Sequence, residues 1–151
     1  LPAVLESAYV ISIPVLKDHT ITKTTVALKN LFGIAPATHY AGSFNKSKLH
    51  EPCTHQSVAD LCLYKSPDLS VVDARIALAG GHIHGTEMPL NRILASHDPV
   101  AVDAFGTRLL GHDPVKVKYL RLTDEVLGSL REYDVVRPRP GASIANRRHA
   151  S

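Results

Sequence analysis

Tryptophan is absent from this chain, methionine occurs once (Met88), and cysteine occurs only twice, at Cys53 and Cys62. The two cysteines stand nine residues apart with no C-x-x-C pair, which excludes a zinc knuckle and an iron–sulfur motif held by this chain. They could close one disulfide, but two free thiols in a reducing cytosol are the simpler expectation, and the cytoplasm is the compartment that implies. No window approaches the roughly 20 unbroken apolar residues of a membrane helix, and the opening residues lack the basic-then-apolar pattern of a secretory leader. The first residue is Leu1 rather than Met, so an upstream portion is expected. Several enzyme signatures are missing as well. There is no G-x-G-x-x-G, no G-x-x-x-x-G-K-[ST], no H-E-x-x-H and no G-x-S-x-G.

Acidic residues are missing from one region only. The last fifteen residues hold Arg137, Arg139, Arg147 and Arg148 with no Asp or Glu. Removing those four from the 17 basic residues leaves the first 136 with 13 basic against 14 acidic. The overall charge of +3 is therefore a property of the tail. Specific nucleic-acid binding needs a basic face on the folded part, and this chain shows none. The expectation is a single domain over residues 1–136 followed by a basic, mobile tail over 137–151. With 44% hydrophobic and 21% charged residues the domain has enough apolar mass for one core.

What is present reads as strand alternating with helix. Residues 8–16 are apolar or β-branched almost throughout, which suits a strand covered on both faces, with Pro14 weakening its far end. From Thr20 to Phe32 the spacing of Ile21, Thr25, Leu28 and Phe32 is helical, with Gly33 as its terminator. Residues 36–52 have no periodicity and read as a long loop. Ser57 with Asp60 resembles a helix start, followed by Val58, Leu61, Cys62 and Lys65 on one face. A second buried strand begins at Leu69 and runs into a glycine loop at 80–85, and a short strand follows at Arg92–Ala95. His97-Asp98-Pro99-Val100 then recurs as His112-Asp113-Pro114-Val115, each with Asp at an N-cap position and Pro at the first helical one. Gly111 and Gly128 mark the two helix ends. Together these elements predict a three-layer α/β fold, a mostly parallel sheet with helices on both faces.

In open α/β sheets ligands bind beyond the carboxyl ends of the strands. That rule picks out Lys17, Asp18 and His19 after the first strand, where Lys17 would hold a phosphate or carboxylate and His19 would move a proton or bind metal. A helix starting at Thr20 would point free N–H groups at the same anion. Asp73 and the glycine loop lie at the end of the second strand. His82 and His84, two apart in that loop, are candidates to share a divalent metal with His19, and Asp73 could add an oxygen. Asp98 has a sufficient explanation as a cap. Asp103 sits inside an apolar helix and either faces water or meets a lysine or backbone donors. Lys29 and Asn30 end the first helix, where the helix dipole alone would favour a lysine.

Five strings in order, "ISIPVLKDH", "ALKNLFGIAP", "LSVVDARIAL", "RILASHDPVAVDAFGTRLLG" and "DPVKVKYLRL", resemble the uncharacterised family known as domain of unknown function 362, from about Ala8 to Gly128. The resemblance implies a longer N-terminus, and a sheet cut short there would leave an edge free to pair with another copy of the chain. It also implies redox work, since many members are fused to ferredoxin-like iron–sulfur domains. It raises Lys17, His19, Lys29, Asn30, Asp73, Asp98 and Asp103 as matching positions, with Gly81 and Gly85 in the glycine loop. It does not carry His82 or His84. Three functions are thus expected in competition: an anion- or metal-dependent site on Lys17, His19 and Asp103, a non-catalytic partner of a separate ferredoxin-like carrier, and an inactive fragment.

Overall fold

The computed structural model describes residues 1–42, 44 and 46–138. Among these, five strands and four α-helices are formed. The first apolar run becomes two short strands, β1 (Ile11–Ser12) and β2 (Val15–His19), parted at Ile13 and Pro14. Both pair in parallel with β4 (Leu69–Ala79), and β5 (Thr86–Ser96) pairs antiparallel along the whole of β4. A strand has two edges, so β1 and β2 must share the edge of β4 that β5 leaves open. They are one row with a break. Pro14 lacks an N–H, but its carbonyl still accepts from Asp73 N–H at 2.8 Å, which keeps the row aligned across the break. β3 (Lys23–Thr25) adds an antiparallel edge to β2. The sheet is mixed, and the α/β class read from the sequence holds.

α1 (Ala27–Asn30) and α3 (Pro99–Leu109) pack on the sheet, while α2 (Thr54–Tyr64) and α4 (Lys118–Thr123) pack on the helices rather than on the strands. Leu16, Val72, Ala74 and Ala77 of the sheet meet Val26, Ala27, Val102 and Leu110 in one core. A second core joins helix to helix around Leu28, Val58, Val100, Tyr119 and Leu120. The opposite face of the sheet is open among the described residues. Ile11, Val15, Ile76 and Ile93 there are between 49% and 65% exposed.

Several sequence expectations change. The segment from Thr20 to Phe32 is not one helix. It is a turn, then β3, then the four-residue α1 and a 3₁₀ turn over Leu31–Ile34 that contains Gly33. Three threonines at alternate positions, Thr20, Thr22 and Thr24, favour an extended chain over a helix. Lys23 takes a left-handed φ of 67° that no helix contains. The short strand at Arg92–Ala95 is the far half of an 11-residue β5, and α2 starts at Thr54, ahead of Ser57. The aperiodic loop contains a 3₁₀ turn over Ser47–His50. Asp98 and Asp113 both cap as read, accepting from Ala101 N–H and Val115 N–H. Gly111, at φ +83°, lies just past the end of α3. From residue 139 on, the basic tail lies outside the described residues.

Candidate functional site

The carboxyl ends of β2 and β4 lie side by side, because the two strands are parallel and Lys17 pairs with Leu78. The glycine loop leaving β4 therefore meets the turn leaving β2. Lys17, Asp18 and His19 close β2 itself rather than following it, and alternation along the strand sends their side chains to different places. Asp18 turns inward with Leu16, while Lys17 and His19 share the other face.

His19 is held through Nδ1 and by one face of its ring. Its Nδ1 accepts from Ile21 N–H at 3.2 Å and Thr22 N–H at 3.3 Å, which leaves the proton on Nε2. The ring stacks on His82 with centroids 4.3 Å apart and planes at 16°. Burial, then the charges of Lys29, His82, His50 and Lys17, pulls its pKa down to about 4. At neutral pH His19 is thus an uncharged donor through Nε2.

Lys29 is 8% exposed on α1, with its ammonium 4.0 Å from the centre of the Phe32 ring. Among the described residues it has neither a hydrogen-bond acceptor nor a carboxylate partner. Burial, then Lys17 and Lys46, lowers its pKa to about 8. Lys46 Nζ is fixed close by, donating to the carbonyls of Phe32 at 2.9 Å and Gly33 at 3.1 Å. The His50 ring tilts against Phe32. Directly across the β2–β3 ladder from Lys17 stands Thr25, whose buried hydroxyl has no partner. Lys17, Lys29, Lys46, His19, His50 and Thr25 thus form a cationic, donor-rich cluster with no acid among its described members.

Beside it, Asp18, His19, Thr20, Lys23, Gly80, Gly81 and His112 line a cleft of about 160 Å³. Asp18 Oδ2 accepts from Gly80 N–H at 2.6 Å, and His112 Nε2 donates to Asp18 Oδ1 at 2.7 Å. Gly85 shapes this loop, since a Cβ there would overlap the carbonyl oxygens of Ala79 and Gly81.

The remaining candidates are placed elsewhere. Asp103 is fully buried and accepts from Ala27 N–H at 2.7 Å, Leu28 N–H at 3.3 Å and Tyr119 O–H at 3.1 Å. It caps α1 from α3 and makes no bond to Lys17 or His19. Burial pushes its carboxyl up to about 7 against the pull of those donors. Asn30 Nδ2 donates to Ser12 Oγ at 3.2 Å, and that hydroxyl donates to Ala27 O, so Asn30 ties α1 to β1. Asp73 lies on the outer face of the sheet, and its pair with Arg75 at 2.7 Å keeps it well below the usual carboxylate range. Both carboxylate oxygens of Asp98 are taken, by Ala101 N–H and Ser129 N–H. His84 is exposed. Among the described residues no three His, Cys, Asp or Glu side chains converge to hold a metal ion. His19 and His82 face each other flat, so their lone pairs diverge from any shared point.

A larger groove of about 560 Å³ runs between β5, α3 and residues 133–138. Of the sequence candidates it touches only Asp98, whose acceptors are already used. The cationic cluster is the better candidate, since Lys29 and the Thr25 hydroxyl there lack partners among the described residues.

Sequence reasoning missed Thr25, Lys46, His50 and His112 as members of this end of the molecule, and named Asp18 there without a role. His112 carried a signal, as the residue before the second Asp-Pro. Thr25 carried none, because its partnership with Lys17 depends on hairpin register.

No helix among the described residues is long and apolar enough to cross a membrane. No solved structure matches this chain. A thylakoid-associated protein of Synechocystis sp. is 29% identical over 114 residues, which cover 75% of this chain and 36% of that protein. The chain thus spans about a third of the length of this curated relative. The family described as "Domain of unknown function (DUF362)" matches residues 1–108, a span that contains the whole cationic cluster, and the chain belongs to that family.

Proposed function

We propose that this domain binds a small anionic ligand, through a phosphate or carboxylate group, in the pocket formed by Lys17, Thr25, Lys29 and His19. One observation carries the reading: Lys29 is a largely buried lysine whose charged neighbours among the described residues are all cations. Such a group is costly by itself and becomes favourable when an anion completes the site. Lys17 and Lys46 add charge, His19 Nε2–H and Thr25 O–H add direction, and the neutral His19 avoids further repulsion. Asp103 supports this pocket by fixing α1, and does not touch the ligand.

Calorimetric titration with inorganic phosphate, pyrophosphate and citrate tests the proposal. Saturable binding is expected for at least one of them, weakened tenfold or more by Lys29→Met and by Lys17→Ala. Equal affinity in wild type and Lys29→Met overturns it. Affinity should also fall as pH rises through about 8, where Lys29 loses its proton.

A second reading, a partner of a separate iron–sulfur electron carrier, is supported by the open apolar face of the sheet. Co-elution with a ferredoxin, lost in an Ile76→Lys, Ile93→Lys double variant, would favour it, and separate elution would exclude it. The cytoplasmic assignment rests on the two thiols, which are unpaired with each other.

A further inference from the structure

We propose that His112, held by Asp18, is a proton acceptor facing the ligand, so that the site takes a phosphate- or carboxylate-bearing molecule with an exchangeable proton near its charged group. This rests on the anion site above and adds a chemical step to it.

The arrangement is built from three elements. Asp18 is fixed from β2, with its side chain 13% exposed and one oxygen clamped by the glycine-loop N–H of Gly80. His112 is delivered by the end of α3. Gly111, in its left-handed conformation, donates to Arg108 O at 3.0 Å, and His112 N–H donates to Thr107 O at 3.1 Å. This closing turn reverses the chain and points the imidazole back to the sheet. The His112 side chain is 34% exposed and lines the cleft. A carboxylate accepts only from an N–H, so Asp18 selects the tautomer with the proton on Nε2 and leaves Nδ1 bare.

His19 lines the cleft with His112, and the charges of Lys29 and Lys17 reach its ring. A ligand anchored at the ammonium groups would therefore reach the dyad across one imidazole. In the step itself, a proton leaves the ligand's O–H, N–H or acidic C–H and forms a bond to His112 Nδ1. The electron pair stays on the ligand. The negative charge so formed faces the Lys29 and Lys17 ammonium groups, and the imidazolium faces the Asp18 carboxylate. Asp18 is the positioning residue and His112 the catalytic one.

Two measurements on the full chain test this. Long-range ¹H–¹⁵N spectra of the imidazoles should show His112 protonated at Nε2 in wild type and a mixture of tautomers in Asp18→Asn. Inorganic phosphate should shift both His19 and His112 in wild type, and neither in Lys29→Met. In the second measurement, diethyl pyrocarbonate should acylate His112 several-fold faster in wild type than in Asp18→Asn, read by peptide mass spectrometry. Asn at position 18 can still accept from Gly80 N–H, so the fold should survive that change. Phosphate shifts at His19 without any at His112, or equal acylation in both proteins, overturns the proposal. If phosphate shifts nothing while tautomer and acylation behave as stated, the anion pocket falls as the anchor and the proton-accepting dyad stands.

Discussion

At the scale of single residues, Lys29 couples folding stability to pH above about 8. From helical pattern alone Lys29 reads as the end of a helix, where a lysine is ordinary, and the family resemblance marks it as a matching position without a role. Its 8% exposure and its lack of a counter-ion became legible once Phe32, Lys46 and Lys17 were seen around it. The direction of linkage follows from its lowered pKa. Below about pH 8 the lysine is charged in both the folded and the unfolded chain, so the burial penalty is fully present. Between about 8 and the ordinary 10.5 the unfolded chain holds more protons, and folding stability rises with pH. Lys29→Met keeps the apolar stem and removes the charge. It should stabilise the ligand-free protein by about 1–3 kcal/mol at pH 7, with the gap to wild type closing toward pH 10. Urea unfolding at pH 7 and pH 9.5 measures this. A variant less stable than wild type at pH 7 without ligand would mean that the ammonium already has a stabilising partner.

Elements are joined here by buried polar contacts as much as by apolar packing, and Asp103 is the clearest case. The sequence showed an acid inside an apolar helix and left open whether its partner was water, a lysine or the backbone. The answer is the backbone of α1, a helix so short that it needs an external cap. Asp103→Ala strands two N–H groups in the core and leaves the Tyr119 hydroxyl with only Thr24 Oγ1, and should cost about 3–5 kcal/mol. Asp103→Asn retains an acceptor and should cost less. It should also remove a slope: with its folded pKa at about 7 against 3.8, Asp103 holds its proton longer when folded, so stability falls as pH rises from about 4 to 7. Unfolding curves for wild type and Asp103→Asn across that range check the sign. Local chemistry made some elements legible in advance. Asp98-Pro99 fixes the start of α3, Gly111 lies just past its end, and the run from Leu69 is β4. The Thr20–Phe32 segment misled because helical spacing of Ile21, Thr25, Leu28 and Phe32 coincided with β-branched residues that prefer a hairpin. Sequence periodicity cannot weigh those two when register with β2 decides the outcome. The candidate site was legible in position, at the ends of the strands, and less so in membership. Lys17, His19 and Lys29 gather there, while Asp103, Asp73, Asp98 and Asn30 serve structure.

At the scale of the molecule, the unalternating run of residues 8–16 predicted a strand covered on both faces, and among the described residues helices cover one. Ser12 and Leu16 meet α1 and the core, while Ile11 and Val15 look outward beside Ile76 and Ile93. Adjacent rows of a sheet lie about 4.8 Å apart, so these side chains make a largely apolar surface, interrupted by the Asp73–Arg75 pair between Val15 and Ile93. Such a surface adsorbs apolar dyes in the native state, which a closed sheet does not. The isolated chain should therefore enhance the fluorescence of anilinonaphthalene sulfonate without denaturant, in contrast to an ordinary compact domain. Because Ile76 and Ile93 pack on nothing from the helical side, replacing both with Lys should leave stability within about 1 kcal/mol and suppress the dye signal. Val72→Lys, on the covered face of the same strand, should unfold the domain, since its side chain is 0% exposed. A double variant that loses several kcal/mol would show that the outer isoleucines are packed in solution and that the face is covered.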